Sequence, residues 1–295
     1  MTQALPFIGR KEKNLSWYRI PKAEYFAAEA FLKMREKFCV AACARFLQMQ
    51  ENQSSHLWHL PGPEGEISAL LLHSRHALFP VFDKNRNKGI PAPRFLKRFL
   101  GKVHIHALQG LREDTELLES LMEGLGYFAT QRIDYDLMNL DTAPRKEAFR
   151  AGPAGLVLRS ALPGDEEQLF ALQAAYEQEE VLPNNAVFNP ASCRLNLSKI
   201  LSSELLLVAE LDGQIVGKIN TSAKSFTRCQ VGGVYVRPDC RGQGIAAKMS
   251  VVFFQKLLSS GMGITLFVKK RNAAASAVYR KAGFHVLADY RICYY

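Results

Sequence analysis

The chain has 295 residues, 48% of them hydrophobic, and a formal net charge of +10. A chain of this length can bury one large core or two medium ones, and it favours two domains. The excess of basic residues is spread over both halves, which excludes a single basic tail. It permits an anionic partner, whether a phosphorylated cofactor, nucleic acid or an acidic protein surface, without distinguishing among them.

The six cysteines form no CxxC pair and no regular framework, which is typical of reduced thiols in a cytosolic protein. The N-terminal stretch MTQALPFIGRKEK has too short an apolar run for a signal peptide. No segment approaches the roughly 20 apolar residues of a membrane span. We therefore expect a soluble, cytoplasmic protein without a membrane partner.

A basic run, KNRNKGIPAPRFLKR, occupies residues 84–98 of the first half. Such a run is usually a solvated face, although it can also dock an acidic partner. It lacks the interleaved aromatic residues typical of single-stranded nucleic-acid binding, so we do not expect nucleic acid as a partner. Residues 140–155 mix charge, proline and glycine without apolar periodicity, and we interpret them as a linker.

The second half alternates strand and helix patterns. Residues 156–160 predict a strand, and the next pattern predicts a helix capped by Asp165, with Gln168 at the capping-box position. Asp212-Gly213 predicts a hairpin between two strands. Further helices are predicted over 191–201, after Gly244 and over 272–281, and further strands over 230–236, 263–268 and 284–295. The helix after Gly244 has apolar residues at helical spacing, namely Ile245, Met249, Val252, Phe253 and Leu257.

The two halves are weakly similar to each other. SHLWHLPGPEGEISALLLHS, starting at Ser55, parallels ELLLVAELDGQIVGKINTS, starting at Glu204. LMEGLGYF parallels VYRKAGFH and places Met122 opposite Tyr279. Similarity at a period near half the chain predicts two copies of one fold.

A glycine turn, RGQGIA, lies between the predicted strand 230–236 and the following helix, and the first half has no counterpart of it. A helix N-terminus leaves unpaired amides and a partial positive charge, and Gly242 and Gly244 remove side chains that would block close approach of an anion. The turn alone also fits a tight turn that needs glycine only for its backbone shape, or a loop that binds nucleic-acid backbone.

The context of this turn resembles the GNAT superfamily of acyl-CoA-dependent N-acyltransferases. The pyrophosphate motif of that family, [RQ]xxGx[GA], is matched from Arg241 to Ala246. Its second signature, NxxAxxxYxxxGF, is matched by NAAASAVYRKAGF, which starts at Asn272. The resemblance covers the chain from Leu156 to Tyr295, and tandem members of the mycothiol-synthase type also have one half that lacks the motifs.

The resemblance implies an acetyl-CoA site without a metal. Tyr279 is implied as the acid that protonates the departing CoA thiolate, as thioester aminolysis requires an acid for sulfur. In the first half Met122 takes that position, which implies a half without this catalysis. The implied cosubstrate contacts are backbone groups of Val234, Tyr235 and Val236 on the pantetheine arm, Arg241 and the amides of Gly242, Gln243, Gly244, Ile245 and Ala246 on the pyrophosphate, and Asn272 and Ala275 beside the pantetheine.

The chain departs from the family at one position. Many members have a glutamate eleven positions before the pyrophosphate motif, where this chain has Gln230, which cannot act as a base but can orient a water. Glu177, Glu179 and Glu180 precede the substrate loop of the family, and we take Glu180 as a further catalytic candidate. The segment VLPNNAVFNPAS is expected to cover the acceptor site, with Asn184, Asn185 and Asn189 as polar contacts or as turn and capping residues.

We therefore expect an α/β (α+β) protein with two GNAT-like domains, each a mixed, mostly antiparallel sheet flanked by helices. The predicted boundaries are 1–145 for a degenerate domain that supports the site and 152–295 for an acetyltransferase domain. The expected reaction is transfer of an acetyl group from acetyl-CoA to a primary amine by direct attack in a ternary complex. The alternatives are a non-catalytic acyl-CoA sensor or scaffold, and an aminoacyl-tRNA-dependent transferase, which would not need the pyrophosphate loop.

Overall fold

The computed structural model of the protein describes residues 17–49, 55–62, 65–83, 93–144, 152–183 and 186–295. Four features discussed above fall wholly or partly outside these residues: the N-terminal stretch 1–13, the linker at 145–151, the basic run at 84–92, and Asn184 with Asn185. Within the described ranges, no helix is both long enough and apolar enough to cross a membrane.

The described strands form one mixed, mostly antiparallel sheet. In chain order they are β1 (Tyr18–Arg19), β2 (His56–Pro61), β3 (Ile67–Ser74), β4 (Ala77–Phe82), β5 (Ala107–Leu111), β6 (Gln131–Leu140), β7 (Val157–Ser160), β8 (Leu206–Leu211), β9 (Gln214–Lys224), β10 (Arg228–Val236), β11 (Gly263–Lys269) and β12 (His285–Tyr294). Their order across the sheet is β1-β2-β3-β4-β5-β12-β6-β11-β10-β9-β8-β7.

Helices cover the faces of this sheet. They are α1 (Tyr25–Arg35), α2 (Val40–Met49), α3 (Pro93–Leu100), α4 (Arg112–Glu123), α5 (Glu166–Tyr176), α6 (Pro190–Ser203), α7 (Ile245–Ser259) and α8 (Ala273–Ala282). A π-helical turn, Glu177–Val181, extends α5. The strands and helices predicted for the second half are all present, with ends that differ by a few residues.

The halves exchange their last strands. β12, from the end of the chain, lies between β5 and β6, and β6 from the first half lies between β12 and β11. The sheet is therefore continuous, whereas the sequence predicts two separate sheets. Each exchanged strand pairs with the last strand of the other half. Without this pairing, the hydrogen-bonding groups of that strand would lie unpaired at an edge of the sheet. The boundaries at 145 and 152 stay a prediction.

One predicted cap is wrong. The carboxylate of Asp165 makes no cap to α5, and instead accepts hydrogen bonds from the Arg159 guanidinium at 2.7 and 3.0 Å and from the amide of Leu162 at 2.8 Å. Gln168 does not reach back to the helix start, because its side-chain oxygen accepts the amide of Ile215 at 2.8 Å. Asp165 is thus taken up by residues just before the helix, and Gln168 by a strand far along the chain.

The buried face of α7 is displaced from the predicted one. Residues at intervals of four, from Ile245 through Met249 and Phe253 to Leu257, are buried against the sheet. Val252, about 100° to one side of Phe253, is 38% exposed, whereas Phe254, about 100° to the other side, is fully buried. α7 nevertheless forms the main apolar contact on one face of the second half, and α5 with α6 cover the other face.

Candidate active site

The candidate site lies where two parallel strands separate. β10 and β11 pair from Arg228 opposite Gly263 to Val231 opposite Leu266, and then diverge. A cavity of about 610 Å³ opens between them. Its walls come from the ends of β10 and β11, from α7 and α8, from the π-helical turn, and from the exchanged strands β6 and β12.

The cavity brings together most of the residues predicted for the site. Gly242, Gln243, Gly244 and Ile245 are absent from its lining, because the glycine turn lies beyond its wall and the side chain of Ile245 is buried in the core. The predicted residues that do line the cavity are Glu180, Gln230, Val234, Tyr235, Val236, Arg241, Ala246, Asn272, Ala275 and Tyr279.

A bulge in β10 shapes the inner end of the cavity. Its register against β9 shifts between Gly232 and Tyr235. Gly233 in the bulge has a positive φ of 59°, and an added Cβ would lie 2.0 Å from the side-chain oxygen of Asn220. Tyr176 Oη accepts the Gly233 amide at 3.3 Å, and Lys218 Nζ donates to the Gly233 carbonyl at 3.0 Å. Both peptide groups of Gly233 are therefore fixed by side chains.

Lys218 is a fully buried lysine that the sequence analysis missed. It is 1% exposed, and its ammonium donates to Asn220 at 3.1 Å and lies 4.8 Å from the Tyr176 ring centre. Burial lowers the pKa of Lys218 to about 7, and the negative charge of Glu177 opposes part of that shift. A lysine within the apolar strand IVGKI was the available signal.

The glycine turn keeps the start of α7 open. Gly242 and Gly244 have φ values of 78° and 81°, which favour glycine, and an added Cβ at Gly242 would meet nothing within 4 Å. Among the residues that the structure describes, no side chain caps the first amides of α7. Arg241 donates to the Val236 carbonyl at 2.9 Å and pairs with Glu179 at 2.8 Å. The turn therefore combines uncapped amides with a cation, the arrangement that suits a phosphate.

Tyr279 projects from α8 into the cavity and is 8% exposed. Burial, followed by the charges of Tyr176 and Glu180, raises the pKa of Tyr279 above its ordinary value, so the phenol stays protonated at neutral pH. Asn272 caps α8, since its side-chain oxygen accepts the amide of Ala275 at 3.0 Å. The cap leaves the Asn272 side-chain nitrogen for a ligand in the cavity.

Residues 169–284 match the model of the Acetyltransferase (GNAT) family. Residues 169–284 therefore form a GNAT domain. The mycothiol acetyltransferase of Saccharomonospora viridis is 30% identical over 148 residues, which make up 46% of this chain and 47% of that protein. The match thus spans about half the length of this curated relative.

Several solved structures are similar over nearly the whole chain. A tandem GNAT protein from the clavulanic acid biosynthesis pathway has a TM-score of 0.60 at 11% identity, over 95% of this chain and 98% of that chain. The GCN5-related N-acetyltransferase of Sphaerobacter thermophilus has a TM-score of 0.56 at 22% identity, over 94% of both chains. At these identities the likeness concerns the fold, and it confirms the predicted tandem GNAT architecture.

Gln230 stands in the GNAT cavity with one polar atom unused. Its side-chain nitrogen donates to Ser222 Oγ at 3.2 Å, while its side-chain oxygen is buried without a hydrogen-bond partner in the structure. Ser250 Oγ, which also lines the cavity, is buried and unpartnered in the same way. Two unsatisfied polar atoms in one cavity indicate a place for a ligand or an ordered water.

The three glutamates that follow α5 are engaged rather than simply solvated. Glu177 is buried and accepts the side-chain amide of Gln173 at 2.8 Å. Glu179 accepts the Tyr235 hydroxyl at 2.5 Å, and this bond, with Arg241, holds the pKa of Glu179 below its usual range. Glu180 pairs with Lys269 at 3.0 Å. Glu179 and Glu180 line the cavity, and Glu177 does not.

The expected acceptor cover contributes little to the described cavity. Of the described residues in the segment 181–192, Val181 alone lines it, and Val187 is 91% exposed. Asn189 caps α6 by accepting the Ser192 amide at 3.0 Å. Asn184 and Asn185 lie outside the described residues, and any contact they make to an acceptor stays a prediction.

The exchanged strands provide lining residues that the motifs did not indicate. Tyr135 comes from β6, and Ile292 and Tyr294 come from β12. Tyr135 lies within the predicted degenerate half, so no local pattern connects it with the motifs near Arg241. Its position follows only from the pairing of β6 with β11.

Proposed function

We propose that the second half transfers an acetyl group from acetyl-CoA to a primary amine while both substrates are bound. The observation that carries the proposal is one cavity lined by Tyr279, by the end of β10 and by Arg241, with the glycine turn just beyond its wall. The family match and the name of the curated relative support acetyl as the acyl group. All six cysteines are free, which supports a reducing, cytoplasmic setting.

In the proposed reaction the chain binds and orients the two substrates and donates one proton. The parted edge of β10 and the turn after Arg241 hold acetyl-CoA, whose thioester supplies the acetyl group. The neutral amine attacks the thioester carbon, the C–S bond breaks, and Tyr279 donates its proton to the departing sulfur. The amine proton leaves to water, for which the unpartnered oxygen of Gln230 is a suitable anchor, or to Glu180.

The test uses the full chain with acetyl-CoA and a panel of amines, amino acids, polyamines and peptides. Thiol release is followed by absorbance, and the acetylated product is identified by mass spectrometry. We expect thiol release that depends on the amine, with no acetylated enzyme accumulating when the amine is omitted. A stable acetyl-enzyme would contradict direct attack.

A second candidate is a non-catalytic acyl-CoA sensor or scaffold, which Gln230 favours because it replaces the family carboxylate. Such a protein would bind acetyl-CoA in calorimetry and release no thiol with any amine across pH 6 to 9. That result would replace the transferase proposal.

A further inference from the structure

The cavity extends beyond the strands that are expected to hold acetyl-CoA. Past β11 its lining passes to the exchanged strands, through Tyr135 of β6 and Ile292 and Tyr294 of β12. Tyr135 is opposite Lys269 on one neighbouring strand and Tyr290 on the other. Residues paired across strands, or two apart along a strand, share a face of the sheet. These side chains therefore form one continuous surface beside the cosubstrate cleft.

We propose that this surface is the acceptor subsite and that it selects a primary amine with one positive charge on a flat, aromatic body. The inference rests on the proposed function, since it names the class of amine that the second half acetylates.

The first argument is the shape and chemistry of the wall. The rings of Tyr135 and Phe267 lie 6.1 Å apart at 53°, and Tyr290 stacks on Phe267 at 4.0 Å and 27°. Tyr290 is buried, so it supports Phe267 from the first-half side, while Tyr135, Phe267 and Tyr294 remain only partly buried. The wall thus presents rings whose free faces or edges suit stacked or edge-on contact with another ring.

The second argument is the balance of charge. The charged side chains among the described lining residues are Glu179, Glu180, Arg241 and Lys269, and they form two ion pairs of 2.8 and 3.0 Å. The cavity thus offers no surplus of negative charge to a polyamine or a lysine-rich peptide. The net charge of the whole chain, +10, also repels polycations at long range.

The third argument is the position of one carboxylate. Glu179 is occupied by Tyr235 and Arg241 at the phosphate side, whereas Glu180 pairs with Lys269 at the aromatic side. The Glu180 side chain is 37% exposed and its partner is 8% exposed, so the carboxylate can accept an additional donor. The ammonium of the incoming amine fits there, with the rings supplying cation–π attraction, and it gives one proton to Glu180 or to water before the neutral amine attacks the thioester. A second charge on the amine would find no partner among the described lining residues.

The experiment measures turnover of four matched amines by the full chain in the presence of acetyl-CoA. The amines are 2-phenylethylamine, 2-cyclohexylethylamine, n-butylamine and spermidine. We expect kcat/KM for 2-phenylethylamine to exceed that for n-butylamine by about tenfold or more, and that for cyclohexylethylamine by about threefold. Spermidine as the best substrate would overturn the inference.

Two variants localise the effect. Tyr294→Leu and Tyr135→Leu should each raise KM for 2-phenylethylamine about three- to tenfold while changing kcat/KM for n-butylamine less than twofold. Tyr295→Leu is the matched control, because Tyr295 lies next in sequence but packs into the first-half core. Equal losses for both amines, or unchanged KM in both variants, would contradict the assignment.

A binding measurement separates this inference from the proposed function. 2-Phenylethylamine and spermidine are titrated by calorimetry into the chain saturated with CoA. If no amine is acetylated, the transferase proposal fails, and preferential binding of 2-phenylethylamine that is weakened in Tyr294→Leu still supports the subsite. Absence of such binding overturns it.

Discussion

Helices α4 and α8 end with the same hydrogen bonds, although they lie in different halves of the molecule. In each, the residue after a left-handed glycine donates its amide to the carbonyl five positions earlier at 3.0 Å, from Tyr127 to Met122 and from Phe284 to Tyr279. This closure is a common way to end a helix. The weak sequence repeat therefore corresponds to a repeated local structure.

The two halves also separate a pair of parallel strands. β4 and β5 pair only at Ala77 with Ala107 and at Leu78 with Leu108, and then diverge around a cavity of about 510 Å³. The parted edge differs from that of β10, because Pro80 has no amide hydrogen and the amide of Phe82 donates to the Asp114 carboxylate at 3.2 Å. The first half thus also has a cleft between parallel strands, but the strand edge beside it has no free amide at Pro80 or Phe82 to offer a ligand.

The position of Tyr279 shows the same difference. Met122 is buried in the first-half core, with its sulfur 3.7 Å from the hydroxyl of Tyr295. A thioether holds no proton to donate. The comparison teaches that the first half has the same helix closure and a packed core without a proton donor at this position, since packing needs volume and shape rather than a proton.

The largest expected effect follows from the exchanged strands. The sequence suggests that residues 152–295, freed from 1–145, should still bind CoA. Without β6, however, β11 and β12 would lose a shared neighbour. We expect this fragment to be unfolded or aggregated by circular dichroism and size-exclusion chromatography. Addition of a peptide covering residues 129–143 should restore folded protein, and a stable monomeric fragment without the peptide would refute the role given to β6.

Next in size is the loss of the proposed acid, which has no counterpart in the first half. Tyr279→Phe should lower turnover on the order of 10²–10⁴-fold, since it removes the proposed general acid while keeping the ring. The CoA dissociation constant should change little in calorimetry. Met122→Leu, the matched change in the first half, should leave turnover unaltered. Wild-type turnover by Tyr279→Phe where chemistry limits the rate would show that Tyr279 is not the acid.

The glycine turn should restrict CoA binding to one site per chain. Gly242→Ala is expected to weaken CoA binding at least tenfold, about 1.4 kcal/mol, because it strains the turn and places a methyl group in the open space where the pyrophosphate is proposed to bind. Gly261→Ala is the control, since Gly261 at the far end of α7 has a φ of 80° and open space around an added Cβ. Both variants bear similar strain, so equal CoA affinities would show that Gly242 serves only the backbone. A stoichiometry of two would place a second site in the first half.

The smallest effect concerns Lys218 and stability. Its pKa of about 7 in the folded chain compares with about 10.4 for an unfolded lysine. Between these values the unfolded chain holds a proton that the folded chain has lost, so this lysine makes the free energy of unfolding rise with pH. The Tm of Lys218→Met minus that of wild type should therefore be more positive at pH 6 than at pH 9. The exposed Lys224→Met should show no such trend, and parallel curves for both variants would contradict the shift.

Much of the second half could be predicted because its signals are local. The hairpin at Asp212-Gly213 has φ values of 51° and 75°, as the turn residues require. The wrong prediction of a capping role for Asp165 and Gln168 has a physical reason: Arg159, six residues before Asp165, and the amide of Ile215, far along the chain from Gln168, compete for the same oxygens. A capping pattern contains no information about such competitors.

The sequence by itself determined the repeated fold, the family of the second half and the residues expected to handle acetyl-CoA, because glycine spacing and helix periodicity act within a few residues of the chain. Only the tertiary structure decided that the last strands are exchanged, that Lys218 holds the Gly233 carbonyl, and that Tyr135 lies in the cavity of the other half. Strand pairing depends on edges that become available when both halves are folded, and no short window of sequence records which edge a strand will meet.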